Sequence, residues 1–123
     1  MCIRDSRSAG SFARKFKVPV LASHLLRRKA EKYLSKAQVI EFESGSAFIF
    51  RSSRIDPFPI THDSCDPVGF VVESHEGRCG SATDLGVVTR LVAEKLRGCR
   101  FLNLESNHDP EMLMSGPYPW DLK

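Results

Sequence analysis

No apolar run in the 123 residues approaches the roughly 18 that a membrane-spanning helix needs, so no helical membrane span is expected. The opening "MCIRDSRSAG" lacks the apolar core of a secretory signal. A cytoplasmic location is the expectation. The four cysteines, Cys2, Cys65, Cys79 and Cys99, show no C-x-x-C spacing, which argues against a zinc knuckle or a disulfide framework and for reduced thiols. There is no G-x-S-x-G elbow, no phosphate-binding loop and no G-x-G-x-x-G, so the common nucleophile and nucleotide signatures are missing. Aromatic residues do not interleave with basic ones as on an RNA-binding sheet. Repeats, low-complexity tracts and linkers are also absent, and the length suits a single domain.

What is present is an ordinary globular composition, 41% hydrophobic and 27% charged, with an uneven charge distribution. Residues 1–36 hold ten basic and two acidic side chains; residues 37–123 hold eight and thirteen. A basic first third can face a polyanion such as nucleic acid. Charge alone fits solvated helix faces, such as Arg27-Arg28-Lys29, at least as well.

Periodicity predicts an amphipathic segment at 11–17, a strand in "VPVLAS", and a Ser23-capped helix through "HLLRRKAEKYLSK". Short β segments follow at hairpin-like spacing: "QVIEFE", "AFIFRS" and "RIDPFPI", then "VGFVVES" and "RCGSAT" around the turn "HEGR". "GVVTRLVAEKLRG" reads as a helix with Val88, Leu91, Val92 and Leu96 on one side and Gly98 as its stop. "RFLNLES" is a strand candidate, and "HDPEMLM" a short helix opened by Pro110. The order predicts a mixed α/β (α+β) fold with mainly antiparallel central strands.

Three polar residues stand just past apolar runs. His62, in "FPITHDSCDPVGF", follows an extended segment whose rigidity suits a metal ligand; taken alone, a loop histidine bonded to nearby backbone is the commoner explanation. Asp84, in "SATDLGVVT", can be a helix N-cap or a carboxylate whose two oxygens bridge two metal ions. His108, in "LESNHDPEM", lies beside Asn107 and Asp109, either of which can cap a helix starting at Pro110. His24 and His75 read as surface residues. Side chains at strand ends on one rim can converge on one site.

"ARKFKVPV", "FPITHDSCDPVGF", "SATDLGVVT", "LESNHDPEML" and "GPYPWDLK" resemble, in order and spacing, the metallo-β-lactamase superfamily. The likeness is to its bacterial exonuclease and phosphodiesterase branch, the relatives of ribonucleases Z and J, and runs from about Ala9 to Lys123. The resemblance implies a partial αββα sandwich, with His62 as a metal ligand and Asp84 as the carboxylate bridging two divalent ions, zinc or manganese. His108 falls where related phosphodiesterases place a residue near the substrate. It also implies a hydrolase that cuts DNA or RNA through metal-activated water. A thioester or lactone hydrolase of the same fold is the alternative, and a non-catalytic α/β interaction domain is another.

The family's H-x-H-x-D-H, expected ahead of "ARKFK", is missing, and so is the last histidine expected after "PYPW". Residues 9–123 are therefore expected to be the central fragment of one such domain, inactive alone and marginally stable. "MCIRDS" resembles a translated sequencing-adapter remnant, so residues 1–8 are expected to be a non-native leader.

Overall fold

In the computed structural model, which describes residues 2–105 together with Glu111 and Ser115, the chain opens with helix α1, Cys2–Phe16. Phe12 and Phe16 pack one turn apart, with ring centroids 4.5 Å from each other. Strand β1 (Val20–Ser23) leads into α2 (His24–Lys29), α3 (Glu31–Leu34) and strand β2 (Val39–Phe42). As expected, Ser23 caps the helix: its hydroxyl accepts from the Leu26 amide at 3.3 Å. Two expectations fail in this region. The single helix predicted over 24–36 breaks at Ala30, which is wholly buried with Ala22 and Leu34, so packing rather than periodicity sets the direction of α3. β2 does not begin a run of hairpins but pairs in parallel with β1, Val20 opposite Val39, in a β-α-β arrangement.

Gly10 explains how closely α1 and α3 approach. Any Cβ at that position would collide with the Tyr33 carbonyl, so only glycine lets the two backbones meet. Arg14 fastens the same contact by donating to the Ser35 carbonyl at 2.6 Å.

The main sheet holds five strands in sequential order: β3 (Phe48–Phe50), β4 (Ser53–Pro59), β5 (Val68–Ser74), β6 (Gly77–Ala82) and β7 (Phe101–Leu104). The first three pairings are antiparallel and β6–β7 is parallel, which matches the expected mainly antiparallel centre. Ile55, Asp56, Pro57 and Phe58 are all buried, so β4 is covered on both faces. A proline is tolerated there because β3 pairs with β4 only as far as Ile55, leaving no ladder bond on that side for residue 57 to donate.

Helix α4 (Arg90–Leu96) packs on this sheet through Val92 and Leu96, which join Phe58, Ile60, Val71 and Ala82 in one core. The predicted helix began too early. Thr89 is the N-cap, accepting from the Val92 amide at 3.3 Å, and Val88 (66% exposed) and Leu91 (44%) lie outside the core. Apolar spacing carried the predicted helix back through Val87 and Val88, but the cap is set by the hydroxyl at 89. Gly98, at φ +72°, stops the helix as expected.

Arg78 closes the C-terminus of α4 by donating to the carbonyls of Lys95 (3.2 Å) and Arg97 (2.9 Å). Arg78→Ala leaves those acceptors to water, and we expect a loss of about 1–2 kcal/mol. A urea midpoint lowered at unchanged slope would show it; an unchanged midpoint would contradict it. The side chain of Lys95 adds a second tie: its Nζ donates to both oxygens of buried Asp56 at 2.9 and 2.8 Å, joining α4 to β4.

Among the described residues, Cys65, Cys79 and Cys99 are not joined in disulfides. No helix among the described residues is long and apolar enough to cross a membrane. Of the predicted helix after Pro110, only Glu111 is among the described residues, and it is helical.

Candidate metal centre

Sheet direction assembles the site. β4 and β6 both run antiparallel to β5, and β7 runs parallel to β6, so the C-terminal ends of β4, β6 and β7 reach the same rim. Pro59 pairs with Val68, and the Ile60 amide donates to the Pro67 carbonyl at 3.1 Å, closing residues 60–67 into a short loop that carries His62. Asp84 stands two residues past Ala82, the last residue of β6. The core anchors both loops at their first step, because Ile60 and Ala82 are members of the same buried cluster.

His62 Nε2 lies 4.0 Å from Asp84 Oδ1, although the two residues are far apart in sequence. The imidazole is 17% exposed and the carboxylate 53%. Two groups approach the other ring nitrogen: Asp63 Oδ1 at 2.8 Å and the Ser64 amide at 3.1 Å. A single Nδ1 cannot both donate to a carboxylate and accept from an amide. The amide contact is the one with hydrogen-bond geometry, so the Ser64 amide donates to Nδ1, and Asp63 lies beside the same nitrogen as an ion-pair partner for a protonated ring. Nε2 is the ring nitrogen that faces Asp84. Partners at the far nitrogen of a histidine ring are the means by which metal ligands are oriented. Aspartate oxygens and a free imidazole nitrogen suit zinc or manganese. The pair fits one corner of a metal site.

Asp84 does not cap α4; Thr89 does. Instead its backbone sits at φ +55°, the left-handed region, a conformation that costs of order 1 kcal/mol and needs outside support. That support comes from both sides. The Gly86 amide donates to the Thr61 carbonyl at 2.9 Å, the Val87 amide to Thr61 Oγ1 at 3.0 Å, and Thr61 Oγ1 in turn to the Val87 carbonyl at 3.2 Å. From just past β7, Glu105 Oε2 accepts from the Leu85 amide at 2.9 Å.

His62 and Asp84 thus meet, whereas His108 lies outside the described residues. His24 bonds Glu41 at 2.9 Å on the β1–β2 side, and His75 occupies the β5–β6 hairpin turn beside Glu76, so neither joins the site. No group of three His, Cys, Asp or Glu side chains able to hold a metal occurs among the described residues. Sequence reasoning missed Thr61, Asp63 and Glu105. Asp63 was detectable as a carboxylate adjoining the candidate ligand; the other two act across 26 and 20 residues, which no local pattern reveals.

No protein-family model matches the chain. It is 28% identical over 120 residues to exodeoxyribonuclease YycJ of Bacillus anthracis, a match covering 95% of this chain and 46% of that protein. It is 30% identical over 119 residues to exodeoxyribonuclease WalJ of Streptococcus pneumoniae, covering 93% and 44%. The chain therefore spans under half the length of the curated relatives it matches. Among solved structures, zinc-bound PqqB from Methylobacterium extorquens superposes with a TM-score of 0.66 at 12% identity, over 83% of this chain and 42% of that one. A diphosphatase of the PhnP family superposes at 0.50 with 25% identity, over 80% and 40%. These likenesses agree with the fold expected from the motifs.

Proposed function

We propose that this chain, which has the metallo-β-lactamase fold, is part of a metal-dependent phosphodiesterase that degrades nucleic acid, with DNA as the substrate and the cytoplasm as its location. The observation that carries the proposal is the convergence of His62 Nε2 and Asp84 Oδ1 at 4.0 Å on one rim, with the Ser64 amide bonded to Nδ1. The exodeoxyribonuclease names of the two relatives support the substrate class.

In this mechanism His62 would meet a metal through Nε2, its ring held at Nδ1 by the Ser64 amide with Asp63 alongside. Asp84 contributes two oxygens and a negative charge, held forward by its strained backbone. Two divalent ions, when bound, supply an acidified water and neutralise charge on a phosphodiester. Arg14, Lys15, Lys17, Arg28 and Lys29, all exposed on or beside α1 and α2, draw a polyanion toward the chain. The other ligands of a two-ion set are proposed to come from the whole protein outside this chain. Residues 1–123 alone should bind zinc weakly, and a calorimetric titration showing two tight sites would refute that.

The test is a substrate panel on the full-length protein: end-labelled DNA, RNA, a small phosphodiester and an acyl thioester. Stepwise loss of DNA that is abolished by chelator and restored by zinc or manganese is expected. Hydrolysis of the thioester alone would replace the proposal with the acyl-hydrolase alternative.

A further inference from the structure

We propose that Thr61 is the positioning residue that sets the separation of His62 and Asp84, and through it the affinity for metal; this rests on the metal-site reading above. Thr61 directly precedes His62, and the groups it bonds, at Gly86 and Val87, directly follow the Asp84 turn. Its hydroxyl uses both roles on one residue, accepting from the Val87 amide and donating to the Val87 carbonyl, so a side chain here closes a ring that backbone pairing closes in a sheet. The two loops also touch through their backbones. A Cβ at Gly86 would fall 2.9 Å from the Thr61 carbonyl oxygen, closer than real Cβ atoms come, so only glycine admits this approach.

The position of these bonds separates a positioning role from a merely structural one. The strands are held by the Phe58, Ile60, Val71, Ala82, Val92 and Leu96 core and by their ladders, none of which involves the Thr61 hydroxyl. The hydroxyl joins only the two loops that carry the candidate ligands. With Asp84 in the left-handed region, that loop has a relaxed alternative available to it. Loss of the hydroxyl should therefore release the carboxylate while the fold persists.

The experiment compares Thr61→Val, Thr61→Ser and His62→Ala in the full-length protein by calorimetric zinc titration, with a thermal melt of each metal-free form. Thr61→Val, which keeps the shape and loses both hydroxyl bonds, should bind zinc about 10–100-fold more weakly, the range for partners that orient a ligand. Thr61→Ser, which keeps the hydroxyl, should stay near wild type. Wild-type affinity in Thr61→Val beside a weakened His62→Ala overturns the positioning role and leaves the metal site standing. Equal losses in Thr61→Ser and Thr61→Val also overturn it, since packing and not the hydroxyl would then be responsible. Wild-type affinity in His62→Ala overturns the metal-site reading and this inference with it. If Thr61→Val does not fold, Gly86→Ala replaces it. Its added methyl pushes the same two loops apart, and unchanged zinc affinity there refutes the proposal.

Discussion

Asp84→Asn in the full-length protein is expected to lower bound metal and phosphodiesterase activity together, by roughly a hundredfold or more, beyond the effect of losing an orienting partner. The substitution isolates the charge. Asparagine is nearly the same size as aspartate, and the two are among the side chains most at ease at positive φ, so the turn at +55° survives. What changes is that one carboxylate oxygen becomes an amide nitrogen, which offers no lone pair, and the negative charge facing His62 Nε2 disappears. A residue serving only the turn would tolerate this. Metal content by elemental analysis and a melt of the metal-free protein separate the cases: full metal content at an unchanged melt removes Asp84 from the ligand set.

The same residue shows where sequence reasoning stops. The strands around it were legible, because β4 to β6 follow turn signals at short spacing, and the two-residue hairpin at His75-Glu76 is marked by Gly77. The rim was legible too, since antiparallel order alone sends β4 and β6 to one edge. The parallel pairing of β1 with β2 was not, because a strand's pattern records which face is buried but not which neighbour it takes. The choice between cap and ligand for Asp84 stayed open in the sequence for a related reason: a hydroxyl further on, at Thr89, which caps α4, served equally well by local rules. Thr61 and Glu105 had no local signature, because their meaning is a hydrogen bond that exists only after the sheet has formed. Placement was readable, and the fastening of what was placed was not.

Phe58→Ala carries the largest expected effect on stability, about 3–5 kcal/mol. Phe58 is 0% exposed at the centre of the sheet-helix core. Its ring fills the space that Gly69, directly opposite on β5, leaves open; a Cβ there would lie 2.5 Å from Phe58 Cζ. Removing the ring therefore opens a void that Gly69, with no side chain, cannot close, which favours the upper part of the range. A domain whose total stability is about 5–15 kcal/mol loses a large share of it. Urea denaturation of the metal-free protein measures this, and a loss below about 1 kcal/mol would show that the core relaxes around the missing ring. The same substitution should weaken zinc binding, since Ile60 and Ala82, from which both ligand loops depart, pack in the cluster that Phe58 fills. Arg78→Ala, which loosens the far end of α4, should cost stability and leave zinc affinity unchanged. That contrast distinguishes a core that supports the site from a protein that simply unfolds more easily, because linkage through the unfolded state alone would lower the apparent affinity of any destabilised variant, wherever its substitution lies.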